Sequence, residues 1–238
     1  TTPGVNGNLT PEGILRVLAE HPDEHMVKPK LAYLSNSSEC GTVYSKAELA
    51  ALNRCCRENG LYLYMDGARL GSALCASDLT MQDIGALTDA FYVGGTKNGA
   101  LLGEALVICN DALKPDFRYI LKQRGGMLAK GLVLGAQFEA LFEDGLYYKL
   151  AEHANRMADL LREGLRAVDC AFFSDSPTNQ IFPILSDSLI ETLAQDYAFE
   201  TWGRVDAEHQ AIRLVTSWAT PEEAVREFVQ DLHRLCAK

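Results

Sequence analysis

Residues 91–99 read FYVGGTKNG, an apolar run followed by a lysine between glycines. The run has the composition of a short buried strand, and the glycines that follow it are typical of a tight turn. A lysine that is removed from water loses its proton more readily, and a neutral amine is the form that condenses with an aldehyde. Lys97 is therefore a candidate imine-forming lysine, with a solvated turn residue as the alternative.

A second strand-like run, LYLYMD at residues 61–66, ends in a carboxylate that is followed by a glycine. Ligands of open α/β sheets bind outside the carboxyl ends of the strands, so we expect Asp66 and Lys97 to face one pocket. A pyridoxal phosphate enzyme needs a Schiff-base lysine and a charged partner for the pyridine nitrogen. Turn formation or helix capping by Asp66 stays open. A nucleotide-binding loop at residues 94–99 is disfavoured because the Walker spacing is absent.

The order of the predicted elements indicates an α/β fold. Thr10 and Pro11 have the residue types of a helix start, and that helix is expected to run to about Glu20. Further helices are predicted at 45–59 and 80–87, and strands at 30–36, 61–66, 91–94 and 104–109. This alternation predicts a mostly parallel sheet.

The pattern changes in the second half of the chain. Residues 116–167 have helical periodicity that is broken at Gly125-Gly126 and near Asp144-Gly145. Short strands are expected at 172–173, 180–185 and 213–215, with a last helix at 221–236. We predict two domains: the C-terminal portion of a cofactor-binding large domain at 1–120, and an interdomain helix with a smaller α+β domain at 121–238.

Composition agrees with a soluble enzyme that has a small-molecule site, and it does not choose among enzymes. The 238 residues are 47% hydrophobic and carry a net charge of −10, which argues against nucleic acid or an anionic membrane as a partner. No apolar run approaches the roughly 20 residues of a membrane span. Seven cysteines without metal-ligand spacing indicate free, buried thiols of a reducing compartment, so we expect a cytoplasmic protein and no metal.

Three motifs together carry a resemblance to a known family. They are MDGARLGSA at 65–73, GGTKNG at 94–99 and IRLVTSW at 212–218. In this order they resemble the low-specificity threonine aldolases, which belong to the β-eliminating lyases of the aspartate aminotransferase-like fold. The resemblance extends over residues 1–238 but does not include the family's N-terminal part.

The resemblance implies pyridoxal 5'-phosphate as cofactor. It assigns Lys97 as the residue that holds the cofactor and Asp66 as the residue that keeps the pyridine nitrogen protonated. Arg213 lies in an apolar strand, where an arginine is costly unless paired, and the resemblance makes it the clamp for the substrate's α-carboxylate. Arg69 would face the same pocket and bind cofactor or substrate, with a surface salt bridge as its alternative.

Further cofactor contacts are implied at three positions. Asn36 lies at the end of a predicted strand and would bond the cofactor's ring oxygen, Thr96 would bond the phosphate, and Arg124 would reach a phosphate across a dimer. Turn formation is the alternative for Asn36 and Thr96, and a solvated helix position for Arg124. None of the five histidines is assigned to catalysis, because all fall in polar or helical surroundings with no shared motif. The resemblance implies that the family's ring-stacking histidine and its main phosphate loop would precede Thr1.

The implied reaction is cleavage of threonine or allo-threonine, a small amino acid substrate, to glycine and an aldehyde. A homodimer or homotetramer is expected from the same resemblance. Another pyridoxal phosphate-dependent lyase or aminotransferase is one alternative, and a catalytically incompetent structural module is another. The 238 residues on their own are expected to bind cofactor poorly and to associate through apolar surface.

Overall fold

The computed structural model describes residues 6–237, which form two lobes joined by a long helix. The helices are α1 (Pro11–Ala19), α2 (Lys46–Glu58), α3 (Leu70–Cys75), α4 (Met81–Leu87), α5 (Phe117–Gln123), α6 (Leu132–Phe142), α7 (Leu146–Arg166), α8 (Asp187–Leu193) and α9 (Glu222–Cys236). The strands are β1 (Leu31–Ser35), β2 (Tyr62–Asp66), β3 (Ala90–Gly94), β4 (Glu104–Ile108), β5 (Gln180–Ile181), β6 (Ile184–Ser186), β7 (Glu200–Arg204) and β8 (His209–Val215). No helix within residues 6–237 is long and apolar enough to span a bilayer.

The first lobe contains a sheet in the order β1-β2-β3-β4. Strands β1, β2 and β3 are parallel, and β4 is antiparallel to β3, so the prediction of a mostly parallel sheet is confirmed. Because the first three strands run in the same direction, their carboxyl ends meet at one edge of the sheet. That edge carries Ser35, Asp66 and Gly94.

The two faces of this sheet differ in exposure. Alternate residues on one face are buried in the core of the first lobe: Ala32, Leu34, Leu63, Met65, Phe91 and Val93. On the other face Tyr33 is 55% exposed and Leu106 is 44% exposed. The open face therefore presents aromatic and aliphatic side chains to its surroundings.

Helix starts in the first lobe follow from the capping residues in the sequence. The Thr10 side chain accepts a hydrogen bond from the Gly13 N–H at 3.2 Å, which confirms the predicted start of α1. Helices α2 and α4 both begin with a capping box, formed by Ser45 with Glu48 in α2 and by Thr80 in α4. These caps satisfy main-chain N–H groups that the first helical turn leaves unpaired.

The second lobe is built around β8, which pairs antiparallel with β5, β6 and β7. Helices α7 and α9 pack against each other and, with the sheet, enclose a second core. Helix α7 connects both lobes: Tyr147 near its start is buried in the first core, whereas Met157 and Leu165 are buried in the second. The predicted domain division at residue 120 stays a prediction.

The breaks in the helical region lie where the glycines predicted them. Gly125 and Gly145 both adopt positive φ angles, +77° and +68°, which glycine tolerates better than residues with a Cβ. They separate α5, α6 and α7.

Several predicted details are wrong. The sequence does not predict α3, α8 or β7, and the expected strand at 172–173 is only an isolated bridge between Phe172 and Pro183. The expected strand at 180–185 is divided into β5 and β6 at Pro183, which has no N–H to donate to the ladder although its carbonyl accepts a hydrogen bond from the Ile212 N–H at 3.0 Å.

The cysteines are less buried than expected. All seven are free thiols, but only Cys55 and Cys56 are buried, and Cys236 is exposed. The two buried cysteines lie on the apolar face of α2, where the helix packs on the core, whereas Cys236 ends α9 at the surface.

Candidate active site at the carboxyl edge of the parallel strands

Asp66 is the last residue of β2, and its carboxylate lies between the neighbouring strands. Its Oδ2 accepts a hydrogen bond from the hydroxyl of Tyr33 on β1. Its Oδ1 accepts from the Tyr92 hydroxyl on β3 at 2.5 Å and from the Ala68 main-chain N–H at 2.9 Å. Burial raises the pKa of Asp66, but these hydrogen bonds and the nearby charge of Lys97 outweigh burial and lower the pKa. Asp66 is therefore held as a carboxylate.

The glycine that follows Asp66 permits a close approach of two main chains. A Cβ on Gly67 would lie 1.9 Å from the carbonyl oxygen of Tyr92, and a Cβ on Gly94 would lie 2.3 Å from that of Ala68. The two segments are joined by a hydrogen bond from the Gly94 N–H to the Gly67 carbonyl at 2.8 Å. These glycines bring the turn after β2 against the end of β3.

Asn36 follows β1 directly and is fully buried. Its main-chain N–H donates to the Asp66 carbonyl at 2.9 Å, which places it at the same sheet edge. Within residues 6–237 neither Nδ2 nor Oδ1 of its side-chain amide has a hydrogen-bond partner, and the adjacent Ser37 hydroxyl has none either. Buried polar groups are normally paired, so this amide marks a position where a polar partner is favourable.

Lys97 lies in the turn after β3, close enough to Asp66 for its charge to lower the pKa of that carboxyl. Hydrogen bonds from the Asn98 and Ala100 N–H groups to the Gly95 carbonyl, at 2.9 and 3.0 Å, close this turn. Lys97 itself is exposed, in contrast to the buried environment that the sequence suggested.

Arg69 directly precedes α3 and is partly buried. Burial is the main cause of its lowered pKa, and Glu39 acts in the opposite direction. The positive charge of Arg213 lowers the pKa of Arg69 further, whereas Asp66 raises it. Arg69 therefore shares one electrostatic environment with Asp66 from the first lobe and Arg213 from the second.

Arg213 extends from β8 and is paired with two carboxylates. Its guanidinium hydrogen-bonds Glu200 on β7, and its Nη1 lies 4.0 Å from Glu39 Oε2 in the first lobe. The guanidinium carbon lies 5.4 Å from the centroid of the Trp202 ring, a cation–π distance. The Arg213 side chain is only 17% exposed, so it is held in place at the lobe interface.

The two remaining predicted residues have different surroundings. Thr96 is exposed, and its hydroxyl donates to Glu104 Oε1 at 2.8 Å across the β3–β4 pair. Arg124 is exposed at the end of α5 and, within residues 6–237, makes no hydrogen bond or ion pair with the groups at the sheet edge.

The tyrosine partners of Asp66 are not among the residues predicted from the sequence, although the sequence contains a signal for them. Three strands contain a tyrosine followed by an apolar residue and then the last residue of the strand: Tyr33 in YLS, Tyr64 in YMD and Tyr92 in YVG. Because side chains alternate along a strand, each tyrosine shares a face with the residue two positions later. Glu200 is likewise not predicted from the sequence, because its contact with Arg213 depends on the pairing of β7 with β8.

The arrangement of the two lobes matches that of solved structures of a known fold. The structure matches an aspartate aminotransferase double mutant of Thermus thermophilus with a TM-score of 0.65 at 17% identity, over 95% of this chain and 60% of the other. The fold is therefore that of the aspartate aminotransferase-like enzymes.

Sequence comparison identifies the family within this class. The family model described as Beta-eliminating lyase matches residues 1–188. The low-specificity L-threonine aldolase of Pseudomonas aeruginosa is 35% identical over 230 residues, which cover 95% of this chain and 65% of that protein. The chain belongs to the β-eliminating lyase family.

A solved structure gives a closer geometric match. The threonine aldolase of Leishmania major is 47% identical and has a TM-score of 0.97, covering 99% of this chain and 70% of its own. The low-specificity L-threonine aldolase of Pseudomonas sp. is 34% identical over 232 residues. The chain spans 65% of the length of both Pseudomonas proteins.

Proposed function

We propose that the protein is a pyridoxal 5'-phosphate-dependent threonine aldolase, a lyase that cleaves threonine or allo-threonine to glycine and an aldehyde. The observation that carries the proposal is the convergence of Asp66 and Lys97 at neighbouring ends of parallel strands, with Arg213 nearby. The 47% identity to the Leishmania major threonine aldolase supports this reaction over other reactions of related enzymes.

The residues at the sheet edge fit pyridoxal phosphate. Asp66 offers a carboxylate for the ring nitrogen, and the buried amide of Asn36 offers an unpaired donor and acceptor for the ring oxygen. Lys97 offers an accessible amine. Thr96 and Arg124 are retained as candidate phosphate contacts, and Arg69 as a contact to cofactor or substrate.

Each residue has a defined task in the proposed reaction. When bound, the cofactor supplies an electron sink for the pair released when the Cα–Cβ bond of the substrate breaks. Asp66, held ionised by its hydrogen bonds, stabilises a positive charge on the ring nitrogen. Lys97 provides the amine that binds the cofactor's aldehyde carbon.

Arg213 is proposed to bind the α-carboxylate of the substrate. A guanidinium matches a carboxylate in a bidentate arrangement, and Arg213 already holds the carboxylate of Glu200. An incoming substrate carboxylate would take the place of this exposed side chain, which is 67% exposed. Trp202 would keep the guanidinium plane oriented throughout.

We further propose a homodimer or homotetramer located in the cytoplasm. Exposed apolar side chains in the region of α5 and α6 support the assembly: Leu101 is 89% exposed, Leu132 85% and Tyr119 79%. The free cysteines support a reducing compartment.

The test is an absorbance scan of the purified protein with and without pyridoxal phosphate, followed by borohydride reduction and peptide mapping. We expect the reduced cofactor on Lys97, and none after Lys97→Ala. Lys122→Ala is the matched control, because Lys122 is an exposed lysine in the same part of the chain and should leave labelling unchanged.

The reaction is then assigned from its products. Aldehyde and glycine from L-threonine or L-allo-threonine support the aldolase. Release of pyruvate or ammonia with no aldehyde would indicate a different lyase, and absence of cofactor labelling in the whole protein would indicate a structural module.

A further inference from the structure

Three tyrosines line the open face of the parallel sheet next to Asp66. Tyr33 and Tyr64 are paired in register on β1 and β2, and their rings stack at a centroid distance of 5.7 Å. Tyr92 on β3 continues the row, with its ring 6.5 Å from that of Tyr64. The hydroxyls of Tyr33 and Tyr92 donate hydrogen bonds to Asp66. Within residues 6–237, the hydroxyl of Tyr64 does not.

The two oxygens of Asp66 are used unequally. Oδ1 accepts two hydrogen bonds, from the Tyr92 hydroxyl and the Ala68 N–H, and a carboxylate oxygen has about two lone-pair sites. Among residues 6–237, Oδ2 accepts from Tyr33 alone. Oδ1 is therefore filled by groups from its own turn and from β3, whereas Oδ2 is held by a single hydroxyl from β1.

The two tyrosines also differ in their freedom to move. Tyr33 is 55% exposed and lies on β1, an edge strand of this sheet within residues 6–237. Tyr92 is less exposed and lies in the strand whose end is pressed against the turn after Asp66. Burial and the Asp66 contact raise the pKa of Tyr33 to about 12, so its hydroxyl stays a donor at neutral pH.

We propose that Tyr92 and Tyr33 are opposed positioning residues for Asp66: Tyr92 fixes Oδ1, and Tyr33 holds Oδ2 until a ring nitrogen takes that oxygen. This inference rests on the proposed pyridoxal phosphate function. Tyr92 then favours cofactor binding because it orients the carboxylate, whereas the hydrogen bonds of both tyrosines lower the pKa of Asp66. Tyr33 competes with the cofactor for Oδ2, so its hydroxyl weakens cofactor binding. In the cofactor-free protein the same hydroxyl keeps Oδ2 hydrogen-bonded.

The first test uses cofactor-free protein labelled with ¹³C at aspartate carboxyls and follows each carboxyl by NMR against pH. Asp66→Asn assigns the Asp66 signal. Tyr92→Phe should raise the Asp66 midpoint by about one pH unit, since a hydrogen bond to a charged group is lost. Tyr64→Phe, which removes a hydroxyl from the same row, is the matched control and should leave the midpoint unchanged.

The second test measures the dissociation constant of pyridoxal phosphate by absorbance. Tyr33→Phe should tighten binding and Tyr92→Phe should weaken it, each about three- to tenfold, because single hydrogen bonds of this kind are at stake. Thermal melting of each variant shows whether the fold is retained. Equal weakening in both variants, or an Asp66 midpoint that Tyr92→Phe does not move, would overturn the proposal.

Failure of the proposed function and failure of the inference about the tyrosines give different results. If the native protein binds no pyridoxal phosphate, the proposed function fails. The NMR titration still decides whether the tyrosines control Asp66.

Discussion

The side-chain amide of Asn98 donates to the main-chain carbonyl of Tyr147 at 2.8 Å, and both residues are buried. This hydrogen bond ties the turn that contains Lys97 to the start of α7. The Tyr147 hydroxyl in turn accepts from the Gly71 N–H of α3 at 3.1 Å. One residue of α7 thus anchors the segments that follow both β2 and β3.

The first prediction concerns Asn98→Ala. It should lower the free energy of unfolding by about 1–3 kcal/mol, because the Tyr147 carbonyl loses a buried partner. It should also slow borohydride trapping of the cofactor at Lys97, since the turn is no longer held in one position. Urea denaturation and the rate of labelling measure the two effects.

The control for this prediction is Tyr147→Phe, which removes the bond to Gly71 and leaves the Tyr147 carbonyl in place. It should destabilise the protein with a smaller effect on the labelling rate. Unchanged labelling in Asn98→Ala would show that the turn does not need this anchor.

A second prediction addresses the contact between α7 and α9. A Cβ on Gly164 would lie 2.5 Å from Val229 Cγ2, so Gly164→Ala should destabilise the second lobe by about 1–3 kcal/mol despite alanine's higher helix propensity. Val229→Ala in the same chain should recover part of the loss. Gly135→Ala, at an exposed helical position with no atom within 4 Å of the added Cβ, should instead stabilise by up to about 1 kcal/mol.

A third prediction addresses the polar contacts between the lobes. The Ser72 hydroxyl hydrogen-bonds Asn155 on α7 and accepts from the Asn179 N–H at 3.2 Å. Ser72→Ala leaves both partners buried and should cost about 1–3 kcal/mol in urea denaturation. The exposed Ser188 gives a matched serine-to-alanine control that should change stability by less than about 0.5 kcal/mol. Equal effects at both positions would contradict the role of Ser72.

A fourth prediction concerns acid stability. Hydrogen bonds from Lys46 and from the Thr80 hydroxyl and N–H lower the pKa of Asp83 from 3.8 to about 2. Because the folded value lies below the unfolded value, this stabilisation is present above about pH 4 and is lost as the pH falls toward 2. Asp83→Asn should flatten the dependence of the urea midpoint on pH in that interval.

Lys46→Met provides the cross-check, because Lys46 Nζ lies 2.7 Å from Asp83 Oδ1. Lys46→Met should partly flatten the pH dependence of the urea midpoint in the same interval. Adding it to Asp83→Asn should change that dependence little further. If the urea midpoint of Asp83→Asn fell with acidification as much as that of the native protein, the assignment of this pH dependence to Asp83 would be wrong.

The last prediction concerns competition at Arg213. If Glu200 occupies the guanidinium that binds a substrate carboxylate, Glu200→Gln should lower the dissociation constant for glycine by about 1.5- to 5-fold, the range of an exposed ion pair. Trp202 fluorescence in a Trp218→Phe background reports binding, because its ring lies beside Arg213. Arg213→Ala should abolish the signal while pyridoxal phosphate still binds.

The control is Glu208→Gln, since Glu208 is an exposed carboxylate in the same β7–β8 hairpin. It should leave glycine binding unchanged. A similar gain in both variants would mean that general charge, and not occupation of Arg213, sets the affinity.

The sequence predicts most of the first lobe because its local signals agree with one another. Apolar runs define β1 to β4, and capping residues such as Thr10 and Ser45 define helix starts. The positions of Asp66 and Lys97 at one sheet edge follow from strand direction alone. These features need no knowledge of distant contacts.

The missed elements depend on distant contacts. Helix α3 has the sequence LGSALC, which contains poor helix formers, and it is held by Ser72 and Gly71 contacts to α7. Strand β7, ETWGR, has a weak strand composition and forms by pairing with β8 across an irregularity between Thr201 and Gly203.

Helix α7 determines how the second lobe is rotated about the helix axis relative to the first lobe, and so where Arg213 lies relative to Asp66. Its 21 residues rise about 32 Å, and each residue turns the helix by about 100°. One inserted residue between Tyr147 and Met157 would therefore swing the whole second lobe, and Arg213 with it, by more than a quarter turn away from Asp66. An insertion or deletion in the glycine-flanked segment between α5 and α6 would leave the relative orientation of the lobes unchanged, whereas one inside α7 would alter it.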